Sequence, residues 1–150
     1  MEFFHNHRGL GTRLVRVAVA LVFLWFGVNQ VFDPTSWLGY VPSWTSSLPI
    51  SAQGFVLLVG ISQTVLGVLL LIGLFTRWMA ILGVLHLIPI ILSVGYNEIM
   101  IRDLGLMFAT LGVLFHGPDR WCLDTKLGGI RDSWIGKIVY LFDHNVDTQY

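Results

Sequence analysis

Cysteine is nearly absent from this chain. Its one thiol, Cys122, can close no intramolecular disulfide and form no CxxC redox pair. Thiol–disulfide exchange within one chain is therefore excluded, and a lone thiol beside Trp121 reads as a small packing residue. Charge is scarce as well. Asp, Glu, Lys and Arg make up 12% of the 150 residues, against roughly 25% in an average soluble protein. Nine basic and nine acidic side chains cancel. No basic patch points to nucleic acid, and no acidic run points to a disordered tail. No cluster of His, Cys or carboxylates has metal-ligand spacing, so no metal is expected.

What the chain does have is apolar side chain, at 55% of residues and a mean hydropathy of +0.72. A soluble domain this small has too much surface to hide that share. A lipid-facing surface removes the difficulty. Four apolar stretches follow, at about 14–32, 54–75, 78–94 and 98–116. A span needs ~20 apolar residues, with ~17 as a lower limit. The first stretch has a basic front in Arg8, Arg13 and Arg16, as a signal peptide would. Its apolar run is too long for one, however, and Asn29, Gln30 and Asp33 follow in place of a small-x-small cleavage site.

Lys and Arg set the orientation. Arg8, Arg13 and Arg16 precede or open the first span, Arg77 sits in the turn between the second and third, and Arg120, Lys126, Arg131 and Lys137 lie in the tail. Only Arg102 falls on the other side. The expected product is an all-α, single-domain, integral membrane four-helix bundle with both termini cytoplasmic. The outer loop, 33–53, has no Lys or Arg and holds Pro34, Pro42 and Pro49 among Trp37, Tyr40 and Trp44. Prolines stiffen it, and the aromatic rings belong at headgroup level, so it should fold against the outer face. The turn at Thr76 and Arg77 is short enough to make the second and third spans antiparallel neighbours.

Leu-Gly-Val-Leu recurs at 66–69, 82–85 and 111–114, once in each of the last three spans. Glycine there would let helix backbones approach closely, and Gly27 would do the same in the first span. The inner tail, 117–150, carries an amphipathic segment at about 130–142. Ile130, Trp134, Ile138 and Leu141 fall three or four apart, on one helix face. Too short to span, it is expected to lie on the inner surface, with docking onto a partner as the alternative.

Polar residues inside a membrane are functional candidates by default. Helix rise puts His86 ~12 Å and Gln63 ~16 Å from the inner ends of their spans, near mid-membrane on adjacent helices. Thr64 belongs with them. The same rise puts Asn29 at ~22 Å and Asp103 at ~20 Å, with Gln30, Asn97, Glu98 and Arg102 at that level. The expectation is therefore a small middle layer and a rich outer one. The middle layer has two readings. His86 and Gln63 could hydrogen-bond the carbonyl oxygens of a quinone ring, with histidine moving a proton. They could equally bond each other and pin two helices. The outer layer is a charged cap over a site, a partner contact, or an interface marker in which Glu98 and Arg102 pair four apart. Haem is disfavoured, because His86 and His116 differ in depth by ~10 Å.

Phe-Gly-Val-Asn at 26–29, Trp-Leu-Gly-Tyr-Val-Pro at 37–42, the 63–67 stretch, Leu-Ile-Gly-Leu-Phe-Thr-Arg at 71–77, Ile-Arg-Asp-Leu-Gly-Leu at 101–106 and Arg-Trp-Cys-Leu-Asp at 120–124 together resemble the DoxX family of small bacterial and archaeal membrane proteins. The likeness covers about residues 13–124, and Arg-Asp-Leu-Gly-Leu is its most specific piece. It implies a four-span bundle in the cell membrane. Some members are subunits of a thiosulfate:quinone oxidoreductase, and others are linked to thiol or oxidative-stress complexes. The family carries no settled catalytic residues to transfer. Two functions stay open: a component of a quinone-linked membrane redox system, or a non-catalytic accessory or assembly subunit of a larger complex. Either implies the lipid bilayer and partner membrane or redox subunits as contacts, a homo-oligomer being the other arrangement. No covalently bound cofactor is expected, and quinone is the one ligand implied.

Overall fold

The computed structural model describes residues 8–119 and 121–126. They form α1 (Arg8–Phe32), α2 (Ala52–Ile72), α3 (Thr76–Val94), α4 (Glu98–His116) and a short α5 (Leu123–Lys126), with two 3-10 turns, Pro34–Tyr40 and Ser43–Ser47, between α1 and α2. No strand occurs among the described residues. Four helices are long and apolar enough to cross a membrane, over Leu10–Phe32, Ala52–Ile72, Thr76–Ser93 and Glu98–His116. The amphipathic segment expected at 130–142 lies outside the described residues.

Local chemistry explains where the helices begin and end. Ser51 caps α2 by accepting the Gly54 N–H at 3.1 Å. Asn97 caps α4 by accepting the Met100 N–H at 2.9 Å, and Glu98 in the first turn suits the helix dipole. α2 ends in a Schellman motif: Gly73 takes a left-handed φ of 69°, its N–H reaches the Leu70 carbonyl, and the Leu74 N–H reaches the Leu69 carbonyl.

The bundle packs most intimately between α1 and α2, and next between α3 and α4; α1–α4 and α2–α3 contacts close it. The chain-adjacent pair α2 and α3 is thus joined by a short turn without being the tightest pair. Glycine decides this. A Cβ on Gly27 would sit 2.6 Å from the Thr64 backbone nitrogen, and one on Gly67 would sit 2.8 Å from that of Leu24. Only hydrogen fits there, so the two backbones approach directly. The other glycines of the repeat behave differently. Gly83 faces the Thr110 and Phe23 side chains, and Gly112 faces open space. The core is small: Val19, Ala20, Phe23, Leu66, Leu70, Ala80, Leu87 and Val113. Large side chains such as Phe115, 80% exposed, point outward, which lipid tolerates and water would not.

A polar knot ties the end of the bundle that carries the α2–α3 turn. Arg16 is buried. Its Nε donates to Asp119 Oδ2 at 2.9 Å, and its Nη1 donates to the Leu70 and Leu71 carbonyls. It thereby serves the carbonyls left over at the end of α2. α3 has no cap of its own, since Phe75 before it holds a left-handed φ of 53°. Asp124 supplies the cap from 48 residues away, accepting from the Phe75 and Thr76 backbone N–H groups and the Thr76 hydroxyl at 2.8–2.9 Å. Cys122 is fully buried beneath Gly73, where its Sγ accepts the Asp119 N–H at 3.2 Å. Burial pushes its thiol pKa up. Burial also works to raise the Asp119 pKa, but the Arg16 guanidinium and the Trp121 N–H pull harder and hold it below the ordinary carboxylate value. Arg13 stacks over Trp121 at 5.4 Å.

Candidate functional site

At the opposite end the 33–53 loop folds back on the helices. Asp33 caps its first 3-10 turn, accepting from the Ser36 N–H and the Thr35 and Ser36 hydroxyls, and these bonds lower its carboxyl pKa. Trp37 meets Phe26 of α1 edge-to-face at 5.6 Å, and Trp44 meets Phe55 of α2 at 5.8 Å. The loop and the four helices enclose a cavity of about 630 Å³.

Helical spacing builds its walls. α1 and the Asp33 that follows it contribute Phe26, Asn29, Gln30 and Asp33, and α3 contributes His86, Pro89, Ile90 and Ser93. Both sets follow i, i+3, i+4, i+7, one face of a helix. α2 adds Phe55, Val56 and Val59, and α4 adds Ile99, Arg102 and Asp103. From His86 to Ser93 the helix rises ~10 Å. The cavity therefore runs from mid-bundle to the loop, and His86 of the expected middle layer shares its wall with residues of the outer one.

The middle-layer residues separate. Gln63 Nε2 lies 2.8 Å from His86 Nε2, so these two do meet across α2 and α3. His86 also lines the cavity, edge-on to Phe23 at 6.4 Å. Gln63 does not line it and reaches only a smaller adjoining void. Thr64 does not line it either. Its hydroxyl donates to the Gly60 carbonyl one turn back, and its backbone presses on Gly27. Thr64 thus belongs to the α1–α2 contact.

The outer cluster is brought together apart from Glu98. Arg102 donates to Asp103 Oδ1 from Nε at 2.9 Å and from Nη2 at 2.8 Å. Asp103 is 7% exposed and Arg102 51%. The guanidinium lies 4.6 Å over the Phe26 ring, joining α4 to α1. Asn29 and Gln30 are on the wall, with the Asn29 amide donating to the Trp25 carbonyl. Glu98 is exposed and off the wall. The pairing of Glu98 with Arg102 gives way to the Arg102–Asp103 pair, because Asp103 is buried where Arg102 can fold back to it.

Depth along a helix did not reveal Phe26, Trp37, Asp33 or Pro89 as wall residues. The i, i+3, i+4 spacing of Phe26 and Pro89 from the polar residues on their own helices was the available signal. Among the described residues no group of three or more His, Cys, Asp or Glu could hold a metal ion.

The arrangement is an amphipathic pocket: aromatic and aliphatic walls, one imidazole deep inside, and a guanidinium–carboxylate pair further along. Comparison with curated proteins and with solved structures gives no match. A comparison with family models gives one, DoxX, over residues 11–95. The matched stretch holds α1, the loop, α2 and α3. It ends before the Arg-Asp-Leu-Gly-Leu segment at 102–106. More than half of the sequence is covered, and the chain is a member of the DoxX family.

Proposed function

We propose that the protein binds a quinone-type ring in the loop-end cavity and works as a component of a quinone-linked redox system in the cell membrane. The observation that carries this reading is one apolar, aromatic-lined cavity of about 630 Å³ that holds both His86 and the Arg102–Asp103 pair. Small-molecule sites are typically ~300–1,000 Å³, mostly apolar, with a few convergent polar groups. A ring with two carbonyl oxygens and an apolar tail fits that description. His86 would hold one carbonyl by hydrogen bonding and exchange a proton there. Arg102 offers donors toward the loop end, Phe26 and Trp37 offer ring faces, and Gln63 orients His86. When bound, a quinone supplies two-electron, two-proton redox chemistry. With a single cysteine and no nucleotide fingerprint in the sequence, the electron donor would be a partner subunit. The distribution of Lys and Arg supports the orientation, with the polar knot cytoplasmic and the cavity mouth on the far side.

The test uses the purified protein in lipid nanodiscs and a short-tailed quinone, with quenching of tryptophan fluorescence as the signal, since Trp37 and Trp44 line the cavity. Saturable quenching is expected. His86→Leu should weaken it about tenfold, the worth of one hydrogen bond, with helicity and thermal stability retained. Unsaturable quenching, or native affinity in His86→Leu, overturns the reading. Co-purification with stoichiometric electron-carrying subunits and no quinone binding would make the chain an accessory subunit.

A further inference from the structure

A second void, of about 60 Å³, shares Gln30, Arg102 and Asp103 with the large cavity, and Gln63 lines it as well. Gln30 and Gln63 are 7% and 4% exposed. The buried amide oxygens of both, Gln30 Oε1 and Gln63 Oε1, have no hydrogen-bond partner in the protein. Native proteins leave very few buried polar atoms in that condition. Exchanging O and N of the Gln63 amide does not help, because the NH2 would then take the unpartnered position. Two orphaned acceptors around one void call for donors inside it.

We infer that this void is a water site and that its water is joined to His86 through the Gln63 amide. The volume has room for water, which needs about 10–15 Å³ of such space per molecule, and a buried water needs two to four polar partners. Gln30 Oε1, Gln63 Oε1 and the Asp103 carboxylate accept from water, and the Arg102 guanidinium donates to it. An apolar occupant would leave both amide oxygens unpaired. The other edge of the Gln63 amide, its N–H donors, faces His86 Nε2 at 2.8 Å. An amide N–H can only donate, so Nε2 is the acceptor and the ring proton resides on Nδ1. Water, the Gln63 amide and His86 thereby form one hydrogen-bonded chain between the small void and the large cavity. The inference concerns the ligand-free protein and does not rest on the quinone reading.

Magic-angle-spinning NMR of the ligand-free protein in lipid bilayers, with 15N-labelled glutamine and histidine, tests it. The His86 signals are assigned by their loss in His86→Asn. Magnetisation started on water should reach the Gln30 and Gln63 side-chain amides, and the ring nitrogen shifts should report an Nδ1–H tautomer. In Gln30→Met, which removes one acceptor and fills space, water transfer to Gln63 should be lost. Dry amides in the native protein, or an Nε2–H tautomer, overturn the inference. Both native readouts decide it even where Gln30→Met does not fold.

Discussion

Adding one methyl group at Gly27 should separate α1 from α2. The new Cβ would lie 2.6 Å from both the Thr64 backbone nitrogen and hydroxyl, and 2.8 Å from the Gly60 carbonyl oxygen. Ordinary carbon contacts begin near 3.4 Å, so the backbones must part by much of an ångström, and backbone cannot step aside as a flexible side chain can. Overpacking of this kind costs about 1–3 kcal/mol. The helix propensity gained on going from glycine to alanine returns at most about 1 kcal/mol. Gly27→Ala should therefore lose about 1–2 kcal/mol. Gly112→Ala is the matched control, because nothing lies within 4 Å of its Cβ position. It makes the same chemical change on α4 and should be neutral or gain up to about 1 kcal/mol. The difference of about 1–3 kcal/mol corresponds to a gap of about 3–10 °C in Tm for a chain of this size. A fluorogenic maleimide in mild detergent reads unfolding directly, since Cys122 is the sole cysteine and is buried. Equal Tm values for the two variants would refute the close approach of α1 and α2.

Asp124→Ala should lower Tm by about 5–10 °C, because it removes the acceptor for three buried donors at the start of α3, worth about 2–4 kcal/mol together; an unchanged Tm would show that α3 needs no distant cap. Acid should loosen the same knot. The Asp119 carboxyl is held below its ordinary value, so its contribution is full above pH ~4 and is lost as pH falls through the lower folded value. Stability against pH should fall more shallowly in Asp119→Asn than in the native protein, and parallel acid limbs would contradict the assignment. Cys122 should resist alkylation in the folded protein even at mildly alkaline pH, because burial both covers the thiol and raises its pKa; fast labelling of folded protein would show that the knot opens.

How much was legible divides along a geometric line. Helix rise is constant, so the sequence alone ranked polar residues by depth and put His86 and Gln63 at similar depth on adjacent helices. Apolar length bounded the helices to within a few residues, and the loop aromatics announced contact with the bundle. Azimuth was not legible. Depth separated His86 from Asp103, yet both face one cavity, because α3 carries a cavity stripe from His86 to Ser93. Thr64 adjoins Gln63 in sequence and turns away from it, since neighbours on a helix point about 100° apart. Arg16 counted only as a positive charge marking one side, although it is buried and bonded to Asp119. That pair is 103 residues apart, and no local pattern relates them.

Composition and periodicity by themselves determined an all-helical chain with four spans, because lipid accepts only segments that satisfy their own backbone and expose apolar side chains. The tertiary structure alone decided which faces meet: that Gly27 and Gly67 seat helices while Gly112 does not, that Asp124 caps α3 from the far end of the chain, and that His86 joins the outer polar residues in one cavity. Those choices depend on the rotation of each helix about its axis, and rotation is set by the packing of every other helix at once.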